Sequence, residues 1–235
     1  MKLPTSIRRF VTYYGRHGFL PTIRRAGVAA TRALFANGQV VFSCDLGKPL
    51  SAMSALPEPA RVEQLRDYGA LSAEDLGEIV RFWNPSLAQR NIMDRFKQGA
   101  SLWLIKVGGR LAGFGWTIQG RTLEPHYFLL GKDDVHLFDF LVFPGFRGRG
   151  INPLLVRWFL ELLALDCHGR AFIEAAEWNR PQLRSLARTP FQRLGLARKF
   201  TFLGHTVVRW KDRAAAERIL KDKAEGPSID ATADA

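Results

Sequence analysis

Apolar residues recur at helical or alternating spacing along most of the chain and predict a mixed succession of helices and strands. Helices are predicted over residues 6–17, 22–36, 72–83, 87–98, 153–165 and 180–188. Strands are predicted over 40–44, near 62, and over 102–107, 111–118, 125–130, 138–143, 171–176 and 199–210. From residue 58 onward the order is therefore β-α-α-β-β-β-β-α-β-α-β, which indicates a domain of the α/β (α+β) class.

Breaks in these patterns divide the chain into three segments. Residues 1–57 are predicted to form a basic N-terminal helical extension that ends in a linker rich in Pro, Ser and Ala. Residues 58–211 form the domain, in which Ser72 and Asp75 have the spacing of a capping box at a helix start. Residues 212–235 lack apolar periodicity, and this tail is expected to be partly disordered. With 235 residues, 47% of them hydrophobic, the chain is long enough for one domain with a sizeable core and an extension.

Positive charge is concentrated at the front of the chain. The formal net charge is +12, and residues 1–56 hold eight basic side chains against one acidic side chain. Because an apolar stripe accompanies this charge, peripheral contact of residues 1–36 with an anionic membrane is one interpretation, and packing on the domain or on another subunit is the other. No recognition motif supports a specific nucleic-acid partner. No apolar run approaches the roughly 18 residues of a membrane span.

The cysteines and histidines show no metal-binding pattern in the sequence. Cys44 and Cys167 are far apart, and the five histidines are not spaced as ligands, so no metal is predicted. Two isolated cysteines also fit a reducing compartment, and a cytoplasmic location is expected.

Residues 138–153 join an apolar strand to a helix through a loop with three glycines and two arginines. Glycine lets the backbone adopt positive φ and approach a ligand closely, and free amides at a helix start favour an anion. Asn152 is expected to cap the helix, with Pro153 as its first residue. The stretch predicts a pyrophosphate cradle, although a Gly-rich turn without a ligand would have the same composition.

This cradle is neither a P-loop nor a dinucleotide loop, because it lacks both the Lys-Ser/Thr pair and the G-x-G-x-x-G pattern. It resembles the coenzyme A loop of the GNAT superfamily of acyl-CoA-dependent N-acyltransferases. That loop reads R/Q-x-x-G-x-G/A after a strand ending V-x-P. Here Arg147-Gly148-Arg149-Gly150-Ile151-Asn152 follows Val142-Phe143-Pro144, with Asn152 in place of the last small residue.

A second stretch resembles the same superfamily. The family pattern L-E-V-x-x-x-N-x-x-A/S-x-x-x-Y-x-x-x-G-F is matched by Ile173-Glu174-Ala175, Asn179, Gln182, Leu186 and Pro190-Phe191. Leu186 replaces the tyrosine of the pattern, and Pro190 replaces its glycine. Two motifs in family order, separated by one helix, resemble a GNAT domain over about 58–211. The resemblance implies a central mixed, mostly antiparallel sheet flanked by helices.

The resemblance also implies acetyl-CoA as the co-substrate. In the family, the strand before the loop splays from its neighbour, and its backbone groups bond the pantetheine arm and the thioester oxygen, which stabilises an oxyanion. Asn179 faces the cofactor by the same resemblance, and capping of helix 180–188 is an equal interpretation. The residues assigned to the cofactor are Leu141, Val142, Phe143, Arg147, Gly148, Arg149, Gly150, Ile151, Asn152 and Asn179.

Amine acylation needs a base that takes a proton from the acceptor ammonium. Glu174 is the first candidate, because it occupies the glutamate of L-E-V, and burial on a central strand is expected to raise its pKa. His136 is the second, 11 residues before Arg147, where histone-type members carry a glutamate. Asp139 is the third, eight residues before Arg147, where polyamine-acetylating members carry an aspartate. A structural ion pair is the alternative interpretation for Glu174, and an ordinary strand position is the alternative for His136.

The family acid that protonates the departing thiolate is missing, because Leu186 stands at the tyrosine position. Tyr127, Ser185 or water would have to act, or the thiolate leaves unassisted. The predicted function is transfer of an acetyl group from acetyl-CoA to a primary amine by direct attack. The alternative is a weak or inactive acyl-CoA-binding or regulatory module of the same fold.

Net charge bears on the choice of acceptor. A protein of charge +12 disfavours a strongly cationic acceptor unless the cleft is locally acidic. A small-molecule or sugar amine, linked to a nucleotide or a lipid, is therefore expected, and a protein amine is the other choice. No oligomeric state is predicted.

Overall fold

The computed structural model describes residues 38–50, 59–82, 85–124, 126–166, 169–202 and 205–212, and the helices predicted over 6–17 and 22–36 lie outside this part of the chain, as does the predicted tail beyond residue 212. The strands are β1 (Gly38–Asp45), β2 (Ala60–Leu65), β3 (Ser101–Val107), β4 (Arg110–Gln119), β5 (Val135–Val142), β6 (Arg170–Ala176), β7 (Gln192–Phe202) and β8 (His205–Trp210). The helices are α1 (Ala73–Phe82), α2 (Pro85–Lys97), α3 (Ile151–Asp166) and α4 (Arg180–Leu186), with short 3₁₀ turns at Tyr68–Ala70 and Pro144–Phe146.

All strands of the described residues form one sheet in the order β2-β3-β4-β5-β6-β1-β7-β8. Every neighbouring pair is antiparallel except β5 and β6, which run parallel. The parallel pair is joined by the crossover helix α3, as parallel strands require. The prediction of a mixed, mostly antiparallel sheet with flanking helices is confirmed.

Strand β1 lies inside the sheet, between β6 and β7, although the sequence placed it in the N-terminal extension. The strand predicted over 40–44 is thus present and longer than expected. Its side chains alternate across the sheet: Val40 and Phe42 join the main core, whereas Val41 joins a second cluster on the other face with Phe172 and Leu194. Both faces of the sheet are therefore covered at this strand.

Helix α3 packs on the sheet through an almost entirely apolar surface. The ring of Phe159 lies 4.6 Å from that of Trp103 on β3 and 5.2 Å from that of Phe140 on β5. Leu155, Val156 and Leu160 are fully buried beside it. This packing fixes the helix that follows the glycine-rich loop, and so fixes the loop itself. No helix in the described ranges is long and apolar enough to cross a membrane.

Helix α1 begins as predicted. The hydroxyl of Ser72 accepts a hydrogen bond from the Asp75 amide at 3.1 Å and donates one to the Asp75 carboxylate at 2.7 Å. Lys106 on β3 also reaches that carboxylate, at 2.9 Å. The helix start is thereby tied to the sheet.

Two predicted strands are wrong. Residues 126–130 form a loop: the adjacent side chains of Tyr127 and Phe128 pack against β8 and β6, while the backbone pairs with no described strand. The Phe128 ring lies 4.9 Å from that of Phe172, and the Tyr127 ring lies 6.1 Å from that of Trp210. The single strand predicted over 199–210 is instead the antiparallel pair β7 and β8.

Candidate active site

Strands β5 and β6 part in the middle of the sheet. They pair only where Val135–Leu137 faces Ala171–Ile173, and from Phe138 onward no β6 partner is present. Glu174 comes directly after Ile173, the last residue of β6 that pairs with β5. A gap between two strands exposes their backbone groups, so this is where a ligand can take the place of a strand.

A bulge in β5 coincides with this parting. Phe138 faces Trp116 and Leu141 faces Phe114 on β4, so Asp139 and Phe140 together oppose the single residue Gly115. Asp139 has φ 51°, and it is the one described non-glycine residue with positive φ. The bulge turns the end of β5 away from β6.

The end of β5 directs backbone groups into the gap. The Phe143 amide bonds the Ala112 carbonyl on β4 at 2.9 Å. Because strand amides alternate in direction, the Val142 amide points the other way, toward the parted side. The Val142 carbonyl on that side accepts a hydrogen bond from Arg147 Nε at 2.9 Å. The loop is thus anchored to the strand, and the Val142 amide is directed toward a ligand in the gap.

A cavity of about 590 Å³ lies along this strand end, the loop and helices α3 and α4. Eight of the ten residues predicted to bind the cofactor line it. Phe143 and Arg149 do not: Phe143 is buried in the core, and the Arg149 guanidinium lies 5.8 Å over the Phe146 ring. The predicted residues that line the cavity are Leu141, Val142, Arg147, Gly148, Gly150, Ile151, Asn152 and Asn179.

The loop has the conformation that the glycines predicted. Gly148 has φ 78° and Gly150 has φ 73°, in the region that other residues rarely adopt. The helix begins at Ile151, so Asn152 lies in its first turn and the prediction of Asn152 as the cap is wrong. Its side-chain amide instead donates to Ser185 Oγ at 2.8 Å and to Gln182 Oε1 at 3.3 Å. Asn152 therefore links α3 to α4 at the floor of the cavity.

The prediction that Asn179 caps α4 is confirmed. Its side-chain oxygen accepts the Gln182 amide at 3.3 Å as the cap of α4, and the residue also lines the cavity. Two further arginines that were not predicted lie on the cavity wall, Arg184 on α4 and Arg188 in the turn that follows this helix. Together with Arg147, they give the cavity the positive charge that a polyphosphate requires.

Glu174 and His136 form a hydrogen-bonded pair across the parted strands. His136 Nε2 lies 2.8 Å from Glu174 Oε2, and the His136 side chain is buried. The His136 ring stacks on Phe138 with centroids 5.4 Å apart. The two leading candidate bases are therefore in direct contact, although 38 residues separate them in the chain.

The pKa of Glu174 is lowered, opposite to the expected direction. Burial by itself raises the pKa of this carboxyl group. The hydrogen bond from His136 and the positive charges of His136, His126 and Lys199 outweigh that effect. The carboxylate is therefore ionised at neutral pH and able to hold a cation, although it is a weaker base than an ordinary glutamate.

A second cavity, of about 420 Å³, opens beside the carboxylate. Its lining includes Tyr127, Asp139, Glu174 and Lys199. Asp139 also makes an ion pair with the largely buried Arg95. Residues 137–139 of β5 line this cavity and residues 140–142 line the larger one, so the two cavities adjoin along one strand.

The hydroxyl groups named for the acid role lie at different cavities. Ser185 lines the larger cavity and accepts the bond from Asn152. Tyr127 lines the smaller one. Burial and the charges of Glu174 and Glu124 raise the pKa of Tyr127, which keeps the phenol protonated. Leu186 is fully buried, so its position supplies no substitute.

Two histidines that are not spaced as ligands in the sequence lie close together in the structure, beside Glu174. His126, His136 and Glu174 lie together, and one ligand atom from each falls within 4.8 Å of the others. The sequence hid this group because His126 belongs to the loop that was predicted as a strand.

The structure thus combines two strands that part, a bulge in β5 opposite β4 and a cationic glycine-rich loop at the start of a helix. Residues 63–199 match the family model described as the acetyltransferase (GNAT) family, which is more than half of the chain. The chain belongs to this family. No curated protein matches it in sequence.

Solved structures share the fold at low sequence identity. A GCN5-related N-acetyltransferase from Sphaerobacter thermophilus is 12% identical with a TM-score of 0.50, over 80% of this chain and 56% of its own. The glucosamine N-acetyltransferase region of a fungal multi-domain GH3 β-N-acetylglucosaminidase is 14% identical with a TM-score of 0.50, over 72% of this chain and 22% of its own. The chain covers 60% of a GNAT-family protein from Novosphingobium aromaticivorans and 56% of one from Colwellia psychrerythraea, less than two thirds of either.

Proposed function

We propose that the protein transfers an acetyl group from acetyl-CoA to a primary amine of a small-molecule or sugar acceptor. The observation that carries this proposal is the adjacency of the two cavities. One cavity has the arginines and the glycine loop for a coenzyme, and the other has an ionised glutamate for an amine. Both lie on consecutive residues of the strand that parts from its neighbour.

In the larger cavity, the loop glycines and Arg147, Arg184 and Arg188 hold the diphosphate of the coenzyme, because backbone amides at a helix start and guanidinium groups both favour phosphate. The pantetheine arm lies in the gap between β5 and β6, bonded to the backbone of β5. The Val142 amide donates a hydrogen bond to the thioester carbonyl oxygen. This bond stabilises the negative charge that develops on the oxygen during attack.

In the smaller cavity, the acceptor ammonium lies against the carboxylate of Glu174. The proton passes to the pair of Glu174 and His136, and the amine nitrogen then attacks the carbonyl carbon. The tetrahedral intermediate breaks its carbon–sulfur bond, and the amide and coenzyme A leave. Tyr127 or Ser185 supplies a proton to the thiolate, or the thiolate leaves as it is, since thiols ionise near pH 8.5.

The charges of the smaller cavity favour a particular kind of acceptor. Glu124, Asp139 and Glu174 provide the locally acidic cleft that an ammonium needs, despite the net charge of +12. Lys199 lies among them. An amine that also carries an anionic group, as a phosphate-linked amino sugar does, matches this mixture.

Substitution of Glu174 by Gln tests the base. Gln keeps a hydrogen bond to His136 but cannot take a proton, so turnover is expected to fall by about 10²- to 10⁴-fold. The affinity for acetyl-CoA is expected to stay within about twofold, because Glu174 does not line the coenzyme cavity. Release of coenzyme A with a panel of amino sugars and amines measures turnover. Calorimetry measures the affinity for acetyl-CoA.

Glu177→Gln is the matched control, since Glu177 is exposed just beyond β6 and undergoes the same chemical change. Unchanged turnover in Glu174→Gln would remove Glu174 from the mechanism.

The double substitution Gly148→Asp/Gly150→Asp is expected to abolish acetyl-CoA binding. Gly145→Asp, with open space around its Cβ and an ordinary φ, is expected to retain much more of this binding.

The second candidate function is an acyl-CoA-binding module with little or no turnover. The buried Leu186 favours it, because no hydroxyl is present where the family places its acid. Tight binding of acetyl-CoA with no coenzyme A release across the panel would support this function over the first.

A further inference from the structure

Two histidines and a glutamate from three separate parts of the chain meet beside the acceptor cavity. His126 comes from the loop after β4, His136 from β5 and Glu174 from β6. One ligand atom of each lies within 4.8 Å of the other two. The glutamate serves the proposed base function, but that function gives no reason for the second histidine.

The side chains of this cluster are held by packing. The His126 ring contacts the His136 ring at 4.9 Å and the Phe128 ring at 5.1 Å, and the His136 ring stacks on Phe138. His136 is only 7% exposed, and its Nε2 lies 2.8 Å from Glu174 Oε2, so this nitrogen faces the glutamate of the cluster. A buried imidazole with a nitrogen to offer is the commonest kind of metal ligand.

A path to the cluster and a suitable charge are both present. A small cavity of about 190 Å³ is lined by all three residues. The other charged groups on its wall are Glu124 and Asp139 on the acidic side and Arg95 and Lys199 on the basic side. With Glu174 included, three carboxylates face Arg95 and Lys199, and a divalent ion displaces any proton from the two imidazoles when it binds.

The three candidate ligands are of the types that zinc prefers in proteins. Two imidazoles and one carboxylate are a recognised set for Zn²⁺, and they leave a fourth position open for water. Metal–ligand distances of about 2.0–2.2 Å place neighbouring donor atoms of a tetrahedral site about 3.3 Å apart. His136 and Glu174 are already 2.8 Å apart, so small side-chain rotations complete the site.

We propose that His126, His136 and Glu174 bind one Zn²⁺ ion, and that this ion blocks acyl transfer by occupying the carboxylate that accepts the proton. Binding of the ion stands on the geometry alone. Only the inhibition rests on the proposed function. Zinc and the acceptor amine are then alternative partners of Glu174, which makes the site a control point for the enzyme.

Calorimetric titration of the untagged full-length protein with ZnCl₂, and absorption spectra with CoCl₂ as a visible probe, test the binding. One ion per chain is expected for the wild type. His126→Asn is expected to weaken binding by more than the roughly 10- to 100-fold that loss of an outer-shell partner costs. His205→Asn is the matched control for histidines outside the cluster, and it is expected to bind as the wild type does.

Equal affinity in His126→Asn and the wild type would overturn the site, as would the absence of binding to the wild type. Glu174→Gln, which keeps both imidazoles and a similar shape, gives a second measurement if His126→Asn does not fold, as judged by circular dichroism. It is expected to bind more weakly than the wild type, and unchanged affinity in it would also overturn the site.

Inhibition is measured separately with the acceptor that the amine panel identifies. Zinc is expected to inhibit the wild type competitively with the acceptor and to have no effect on His126→Asn relative to that variant's own metal-free rate. If no amine is acetylated, the calorimetry still decides whether the ion binds, so failure of the site and failure of the function are distinguishable.

Discussion

Asp139 has two properties that a single side chain rarely combines. Its backbone lies at φ 51°, where an L-residue is strained, and its carboxylate pairs with Arg95 beside the smaller cavity. Aspartate is one of the few residues that tolerate this conformation. The residue therefore shapes the bulge through its backbone and the cavity through its charge.

Substitutions at Asp139 separate these two roles. Asp139→Gly removes the carboxylate and relieves the backbone, whereas Asp139→Ala removes the carboxylate and keeps the strain. We expect Asp139→Ala to be less stable than Asp139→Gly by about 1 kcal/mol, the cost of placing a Cβ in left-handed backbone. Urea denaturation of both variants measures the difference. Equal stabilities would show that the bulge relaxes to an ordinary φ when the ion pair is lost.

Individual residues of the site could be predicted, but their partnerships could not. Glu174 and the loop glycines stand in motifs, and their positions follow from spacing alone. The pairing of Glu174 with His136 depends on the register of two parallel strands, which no local pattern records. The direction of the Glu174 pKa shift was missed for the same reason, since burial was visible in the sequence and the neighbouring histidines were not.

Two glycines on β4 support the bulge of β5 in different ways. A Cβ on Gly113 would lie 2.5 Å from the Leu141 carbonyl oxygen, which is backbone and cannot move aside. A Cβ on Gly115 would lie 2.9 Å from the Phe140 ring, which is a side chain on the wall of the larger cavity. The same substitution should therefore affect stability at one position and ligand binding at the other.

We expect Gly113→Ala to destabilise the protein by about 1–3 kcal/mol, as overpacking does. We expect Gly115→Ala to push the Phe140 ring toward the coenzyme and to weaken acetyl-CoA binding several-fold, with a smaller loss of stability. Thermal denaturation and calorimetry of the two variants give both quantities. The reverse ranking, with affinity lost only in Gly113→Ala, would contradict this account of the bulge.

Elements with a strong internal period were predicted, and elements defined by their neighbours were not. Helix α3 and strands β3 and β4 follow from their apolar spacing and from the Gly108-Gly109 turn. Residues 126–130 are rich in aromatic and apolar side chains, but Leu129 is 92% exposed and the backbone of this segment pairs with no described strand. Strand formation is a property of pairs, so a single-strand pattern cannot decide it.

Strand β1 makes the segment before residue 58 part of the sheet. Val40, Val41 and Phe42 are buried, and each such side chain contributes roughly 1.5–3 kcal/mol. Their sum is comparable to the roughly 5–15 kcal/mol that stabilises a whole domain. Strand β1 also forms backbone hydrogen bonds with β6 on one side and with β7 on the other.

A chain that begins at residue 58, the boundary predicted from the sequence, is therefore expected not to fold cooperatively. Circular dichroism should show no sharp thermal transition for it, in contrast to the full-length chain measured in parallel. A cooperative transition in the shortened chain would mean that β6 and β7 close on each other without β1. The sequence concealed this dependence because β1 is separated from the rest of the domain by a linker-like stretch.

The position of β1 has a consequence for how the protein is made. Val41 pairs with Glu174 and Gly195, so a strand that leaves the ribosome early must wait until most of the chain has been synthesised. At about 5–20 residues per second, that delay lasts roughly 7 to 30 seconds. During this time an apolar strand has no native partner, and the long sequence separation slows the closing step. We expect nascent chains of this protein to depend on holding chaperones until the last third of the sequence emerges.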